Sequence, residues 1–512
     1  MAQGILTSQW IEMAQQAIKK LESLHRNELP EIDRLNSHYE GRQPLSYMHP
    51  ALVMELGDRM RQVVIHWPAL VVDSIEERLD VEGFRLGGAA DADDDLQWIW
   101  QANGLDGASQ RAHVDALVMR RSYAVIGVRT SADTDPASGV DVSVPLITVE
   151  SPLEMISIAD QRTRRVAAAM RVWTTQIDAG PLFSTPWDVD RLTLYLPNST
   201  SHWKRDEKRE WALDEDDTVG VDQHNLGVVP VVPIVNRPRT VRPRQQSADG
   251  VSDLEPVIPL SDAACKIATD MMVSAEFHSM PRRWSIGVAA EDFVDNNGNP
   301  LQAFSQVAGR MWATERGPQE VSFGQFAEAD LSNFHNTLNA LARMVASVSG
   351  LPPHYLGMAT DNPASADAIR SSEARLVKRA ERKQRALGEA WEQVMRIALL
   401  IRDGKVDKGA ARMETLWRDA STPTVAQVAD AAVKKFQAHL VPRRQSLEDM
   451  NYTSLQIERI MAEFQAEAQA AAVAMGLGEQ AMPGAPMAPD SSVPRGVIPV
   501  EPTADTAVDS AA

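Results

Sequence analysis

Apolar residues recur every three or four positions at both ends of the chain, and alternate with polar ones only in its middle. Over 8–26, Trp10, Ile11, Ala14, Ile18, Leu21 and Leu24 share one side of a helix, and Pro30 is expected to interrupt it before a second short helix. A further helical stretch covers 59–79, with a break expected at Pro68 and VVDSIEERL as its second half, followed by a short strand over 81–86. From Tyr123 to about Asn236 the period becomes two: YAVIGV, VDVSVPLITV, VAAAMRVW and RLTLYL predict strands of a sheet half-buried against the N-terminal helices. In the last of these, Leu192, Leu194 and Leu196 share a face. VVPVVPIVNRPRTVRPRQQSADG, rich in Pro and Arg, closes this region.

Two helices of matched length come next. The first covers 261–280, striped by Ala264, Ile267, Ala268, Met271 and Ala275 and ended by Pro281. The second starts with Asp330 as its cap and places Leu331, Phe334, Leu338, Leu341, Val345 and Val348 at alternating steps of three and four, stopping at Gly350 and two prolines. Between them, 282–329 reads as a small mixed unit with strands near RWSIGV, RMWAT and QEVSFG and a turn at NNGNP. The proline-broken segment SGLPPHYLGMATDNPA then enters a long helix that Ser365 caps, with Ile369, Leu376, Ala380, Leu387, Trp391, Val394, Ala398 and Ile401 on one face. At ~1.5 Å per residue, about 38 residues make a rod of roughly 57 Å. Thr422 and Thr453 are expected to cap two last helices, and the Pro- and Ala-rich stretch 476–512 is expected to be disordered.

Charge narrows the function classes. With 51 Lys and Arg against 70 Asp and Glu the chain carries −19, which argues against a protein that grips nucleic acid along its whole surface. Against that balance, 370–385 holds Arg370, Arg375, Lys378, Arg379, Arg382, Lys383 and Arg385 with only Glu373 and Glu381. This is either a solvated face laced by ion pairs or a surface for phosphates or a neighbouring subunit's carboxylates. Arg237, Arg239, Arg242 and Arg244 make a second basic stretch in a loop. Conversely, Arg343 is the one formally charged side chain in 331–348, where a free surface helix would carry more; contact with other helices or a neutral lining is expected there.

Catalytic and metal signatures are missing. The sequence contains no GxxxxGK[ST], HExxH, CxxC or GxSxG, and the single Cys265 permits neither an intrachain disulfide nor a thiolate cluster. Its apolar neighbours predict a small buried residue. The acidic run Asp91, Asp93, Asp94, Asp95 lacks the Gly and Glu of a calcium loop and reads as the start of a helix. No signal peptide or 18-residue uncharged run is seen, so no membrane partner, cofactor or metal is expected.

Four stretches together resemble the portal proteins of tailed bacteriophages, particularly those of actinobacteriophages: Tyr39-Glu40-Gly41-Arg42 with Pro44-Leu45, VVDSIEERLDVEGFRL, the helix pair flanking a small insertion, and SGLPPHYLG followed by NPASADAIRSSEARL. The resemblance spans roughly residues 8–475. It implies an α+β, mainly helical ring subunit with a wing (1–250, plus a long wing helix at 364–403), a stem (251–281 and 330–348), a clip (282–329), a tunnel-loop region (349–363), a crown (404–475, its helices after Ser421) and a disordered tail. It also implies a non-enzymatic function: a dodecameric virion component at one capsid vertex, assembled in the host cytoplasm, conducting double-stranded DNA during packaging and ejection. The implied partners are the terminase large subunit, the major capsid protein and scaffold, and head-tail connector proteins. His354, Tyr355, Met358, Thr360 and Asp361 become candidate tunnel residues, joined by Asn333, Asn336 and Asn339 on the second stem helix. The basic half of the rod becomes an expected inter-subunit face. The rival readings are a minor capsid or scaffold protein without a tunnel and a head-maturation enzyme.

Overall fold

A computed structural model describes residues 8–44, 63–89, 91–134, 137–177, 187–205, 210–214, 220–239, 250–279, 283–287, 322–325, 331–358, 366–421, 425–450, 452 and 454–474. The chain divides into two compact units at Thr422. In the larger unit, α1 (Ser8–Tyr39) runs unbroken through Pro30. The expected interruption does not occur, because both halves of the helix are anchored. Ala14, Ile18 and Leu21 pack on one sheet, while Ile32 and Leu35 enter the main core. Burying five such side chains, at roughly 1.5–3 kcal/mol each for the large ones, outweighs the ~3 kcal/mol that an interior proline costs.

Gly41 ends α1 with φ +70°, and Arg42 N–H donates to the Ser37 carbonyl, a left-handed helix stop. A β-carbon at Gly41 would lie 2.3 Å from the His66 ring, so both conformation and space demand glycine. Tyr39 donates its hydroxyl to Asp73 at 2.9 Å, tying α1 to α2 (Trp67–Glu76). Pro68 stands in the first turn of α2, where no amide is needed, and so starts this helix where a break was expected. The expected stretch before residue 63 lies outside the described residues.

Strand β1 (Val81–Arg85) is followed by α3 (Asp94–Ala102), whose cap Asp93 accepts from Leu96 N–H, giving the acidic run its structural role. Helix α4 (Leu105–Met119) leads into two sheets where the sequence suggested one. The three-stranded sheet places β2 (Arg121–Gly127) between β3 (Leu146–Glu150) and β10 (Val231–Val235), with Pro233 on the edge strand β10, where a missing amide is tolerated. The six-stranded sheet runs β4 (Met155–Ala159), β5 (Val166–Ile177), β6 (Trp187–Tyr195), β7 (Thr200–Arg205) and β8 (Trp211–Leu213), with β9 (Val221–Asp222) also on β7. Its face of Leu192, Leu194, Met170 and Trp203 receives the first half of α1.

Helix α5 (Ile258–Ser279) and α6 (Ser332–Ser349) flank a hairpin of β11 (Arg283–Ile286) and β12 (Ser322–Gln325). The expected RMWAT strand, the NNGNP turn and the Asp330 cap lie outside the described residues. Cys265 is buried on α5, its Sγ accepting from Ile65 N–H. Helix α7 (Ala366–Asp403) buries Leu376, Ala380, Leu387, Trp391, Val394 and Ala398. Strand β13 (Glu414–Trp417) then pairs antiparallel with β1. Residues 404–421 therefore belong to the larger unit.

The smaller unit holds α8 (Val425–Gln437), α9 (Arg443–Glu448) and α10 (Ser454–Ala474). Short α9 was not expected. It is seated by Ser446 Oγ donating to the Ala432 carbonyl and by Arg443 lying over the rings of Phe436 and Phe464. Thr422, Thr453 and the tail lie outside the described residues.

One carboxylate near the end of α2 is held against its usual ionisation. Burial, reinforced by Asp80, Asp73 and Glu77, pushes the Glu76 carboxyl up to about 7. Its folded value exceeds the unfolded one, so its contribution to stability is lost as pH rises through 7. Glu76→Gln is therefore expected to raise the thermal midpoint at pH 8, with the gain shrinking toward pH 5. An equal gain at both pH values would contradict this.

Candidate tunnel and inter-subunit surfaces

Helix α6 carries the first candidate surface. On α6 the buried line is Ala342, Val345, Ala346 and Ser349, with Phe334, Leu338 and Leu341 half-buried. Val348 was expected to close the apolar seam, yet it is 44% exposed. A straight helix drifts relative to a strict 3.5-residue repeat, so by the end of the helix Ser349 has replaced it on the buried side. Asn333, Asn336 and Asn339 all face outward, continued by Ala340, Arg343 and Ser347. The exposed side of α6 is thus uncharged apart from one guanidinium, polar at its start and joined by exposed Met344 and Val348 toward its end. That composition offers hydrogen bonds to a passing polyanion and few cations to hold it.

The described residues that follow α6, 351–358, are partly packed into the larger unit. Leu351 and Pro352 are buried, and Pro353–Leu356 forms a single 3-10 turn. His354 is exposed, its ring edge-on to Tyr355 with centroids 4.9 Å apart, and Met358 is half-buried. Tyr355 is not a free loop side chain: its hydroxyl accepts from Arg78 Nη2 at 3.2 Å and donates to Glu373 Oε1 at 3.0 Å. Burial raises its phenol above the ordinary value. Arg78 also bonds the Ala420 carbonyl at 2.6 Å and lies 3.5 Å from Glu373. Tyr355 is therefore a strut between α7 and Arg78 just past the end of α2, whereas His354 is exposed. Thr360 and Asp361 lie outside the described residues.

The basic half of α7 divides into inward and outward members. Lys383 is buried, with Nζ 2.5 Å from Asp253 Oδ2 and 2.6 Å from Asn236 Oδ1. Arg379 approaches the other oxygen of the same fully buried carboxylate at 3.7 Å, and Arg237 reaches it at 3.6 Å. Burial lowers both Lys383 and Arg379 from their ordinary values, partly offset by Asp253. Lys383 cannot belong to a face for a neighbour, because its own chain encloses it; the sequence expectation fails there. Lys378 pairs along the helix with Glu381, and Arg375 donates to the Ser347 carbonyl at the end of α6. Arg370, Arg382 and Arg385 are exposed. Of the second basic stretch, Arg242 and Arg244 lie outside the described residues.

Asp253 and Arg78 were not singled out from the sequence. The available signal was an acid among the apolar and small residues of Val251-Ser252-Asp253-Leu254, shortly after the arginine-rich loop. Among the described residues no group of His, Cys, Asp and Glu gathers as metal ligands, and no helix is long and apolar enough to cross a membrane.

Comparison with known proteins places the chain in a family. The family model described as phage portal protein, SPP1 Gp6-like, matches residues 18–470. The portal protein of Mycobacterium phage D29 is 39% identical over 451 residues, 86% of each chain. That of Mycobacterium phage L5 is 38% identical over 458 residues, 88% of each. A solved structure titled the neck of an empty GTA particle, computed with C6 symmetry, aligns with 80% of this chain and 95% of its own at TM-score 0.42 and 13% identity, a likeness too weak to add to the assignment. On the family match and the two relatives, the chain belongs to the phage portal proteins of the SPP1 Gp6-like family.

Proposed function

We propose that twelve copies close into a ring at one capsid vertex, conduct double-stranded DNA inward during packaging and outward during ejection, and dock the terminase large subunit and head-tail connectors. The major capsid protein and scaffold would surround the ring during assembly. In this reading the first 250 residues and α7 form the wing, α5 and α6 the stem, β11 and β12 belong to the clip, and α8 to α10 form the crown. The carrying observation is the outward side of α6, uncharged from Asn333 to Asn339 in a chain that the family model matches over residues 18–470. A conduit for DNA must avoid trapping phosphates, since each Lys or Arg that displaces a counterion adds affinity. His354 and Met358 extend that lining beyond α6.

Electron microscopy of the purified protein tests the ring directly: closed rings with a central hole are expected, and a monomer under every condition tried would overturn the proposal. The lining is tested by packaging. Replacing Asn333, Asn336 and Asn339 together by lysine is expected to slow packaging in a manner relieved by added salt. Rates equal to wild type would place that face of α6 away from DNA.

A further inference from the structure

A cleft of about 550 Å³ opens where the basic half of α7 meets the end of β10 and the end of α6. Six cationic side chains line it, namely Arg237, Arg375, Lys378, Arg379, Arg382 and Lys383, against the single carboxylate of Asp253. Asp253 is fully buried and already engaged by Lys383, so it neutralises the floor of the cleft and leaves the rim strongly positive. At the rim, Arg379 Nη1 is buried with no hydrogen-bond acceptor, and Arg382 makes no ion pair among the described residues. A buried guanidinium N–H without an acceptor is costly, and a carboxylate presented to it would form the bidentate pair that arginine geometry favours.

We propose that this cleft receives acidic side chains from a second copy of the chain. The inference rests on the ring reading above. A closed ring is built from head-to-tail contacts in which each copy presents two unlike patches, so a positive hollow needs a negative counterpart on the next copy. At −19 the chain supplies carboxylates far more readily than cations. The shape argues the same way, because a concave hollow of this size admits one or two side chains and not the convex backbone of a duplex. The cleft also touches Val348 and Ser349 at the end of α6, so an acidic group seated there would bear on the junction between stem and long helix.

Cys265 is buried and is the chain's one native thiol, which leaves an exposed cysteine placed at Arg382 selectively labelled. The Arg382→Cys protein, labelled with a photoactivatable benzophenone maleimide and irradiated, is digested and mapped by mass spectrometry alongside microscopy of the unlabelled wild type. Adducts joining two copies at Asp- or Glu-bearing peptides are expected. Wild-type rings accompanied by adducts confined to one copy, or to added DNA, would overturn the cleft assignment and leave the ring intact. Failure of the wild type to form any ring would defeat both. As an independent arm, the Lys378→Glu/Arg382→Glu protein is expected to shift from rings to smaller species in light scattering while its thermal unfolding stays within a few degrees of wild type. Rings undiminished in this variant would equally overturn the assignment.

Discussion

Replacing Asp253 by alanine is expected to destabilise the larger unit by about 3–5 kcal/mol, the usual cost of removing one partner from a buried ion pair. The carboxylate is wholly enclosed and meets three cations, of which Lys383 is itself buried. Without it, Lys383 must either remain charged in a low-dielectric site or give up its proton, and Asn236 offers only one uncharged acceptor. The measurement is urea denaturation at fixed protein concentration. Pairing the change with Lys383→Met should recover much of the loss, because an apolar pair of similar volume is often as stable as the ion pair it replaces. If the single variant unfolds at the wild-type midpoint, the cluster is not the structural anchor described.

The second large effect is expected at Trp391. Its ring is fully buried, edge-on to Trp100 at 5.1 Å, and its Nε1–H donates to His113 Nε2 at 2.9 Å. Trp391→Ala is expected to cost about 3–5 kcal/mol through the cavity alone. Trp391→Phe keeps most of the ring and isolates the lost hydrogen bond, expected to cost about 1–3 kcal/mol. Burial lowers the His113 imidazole to about 3, so the folded chain holds it neutral while the unfolded chain takes up a proton below about 6.5. Protons are then bound preferentially by the unfolded state, and wild-type stability contributed by this site falls as pH drops from about 6.5 toward 3. Opening the site to water in Trp391→Ala relaxes that shift, so the gap between variant and wild type should narrow between pH 7.5 and pH 5. A gap unchanged on acidification would show that His113 stays sealed.

Much of this architecture was readable from spacing alone, where one element meets one environment. Leu376, Ala380, Leu387, Trp391, Val394 and Ala398 lie on the buried face of α7 as their period requires, and Leu192 and Leu194 share a buried sheet face. Reading failed where long-range partners decide. Pro30 did not break α1, because two separate cores hold its halves, and Val348 left the seam because helical drift accumulates. The candidate surfaces were less legible. Asn333, Asn336 and Asn339 are exposed, whereas Tyr355 and Lys383 are held by Arg78, Glu373 and Asp253 of their own chain. Charge runs reveal that cations are present, and only the fold reveals which of them already have a counter-ion.

The pairing of β1 with β13 has a consequence for biogenesis. The strand at Val81–Arg85 lacks its hydrogen-bonding edge until Glu414–Trp417 has been synthesised, more than three hundred residues later. At ~5–20 residues per second, that interval lasts roughly 15–70 s on the ribosome. A nascent chain cannot finish its larger unit before translation is nearly over, so a product truncated ahead of Glu414 is left with an open strand edge at Val81–Arg85.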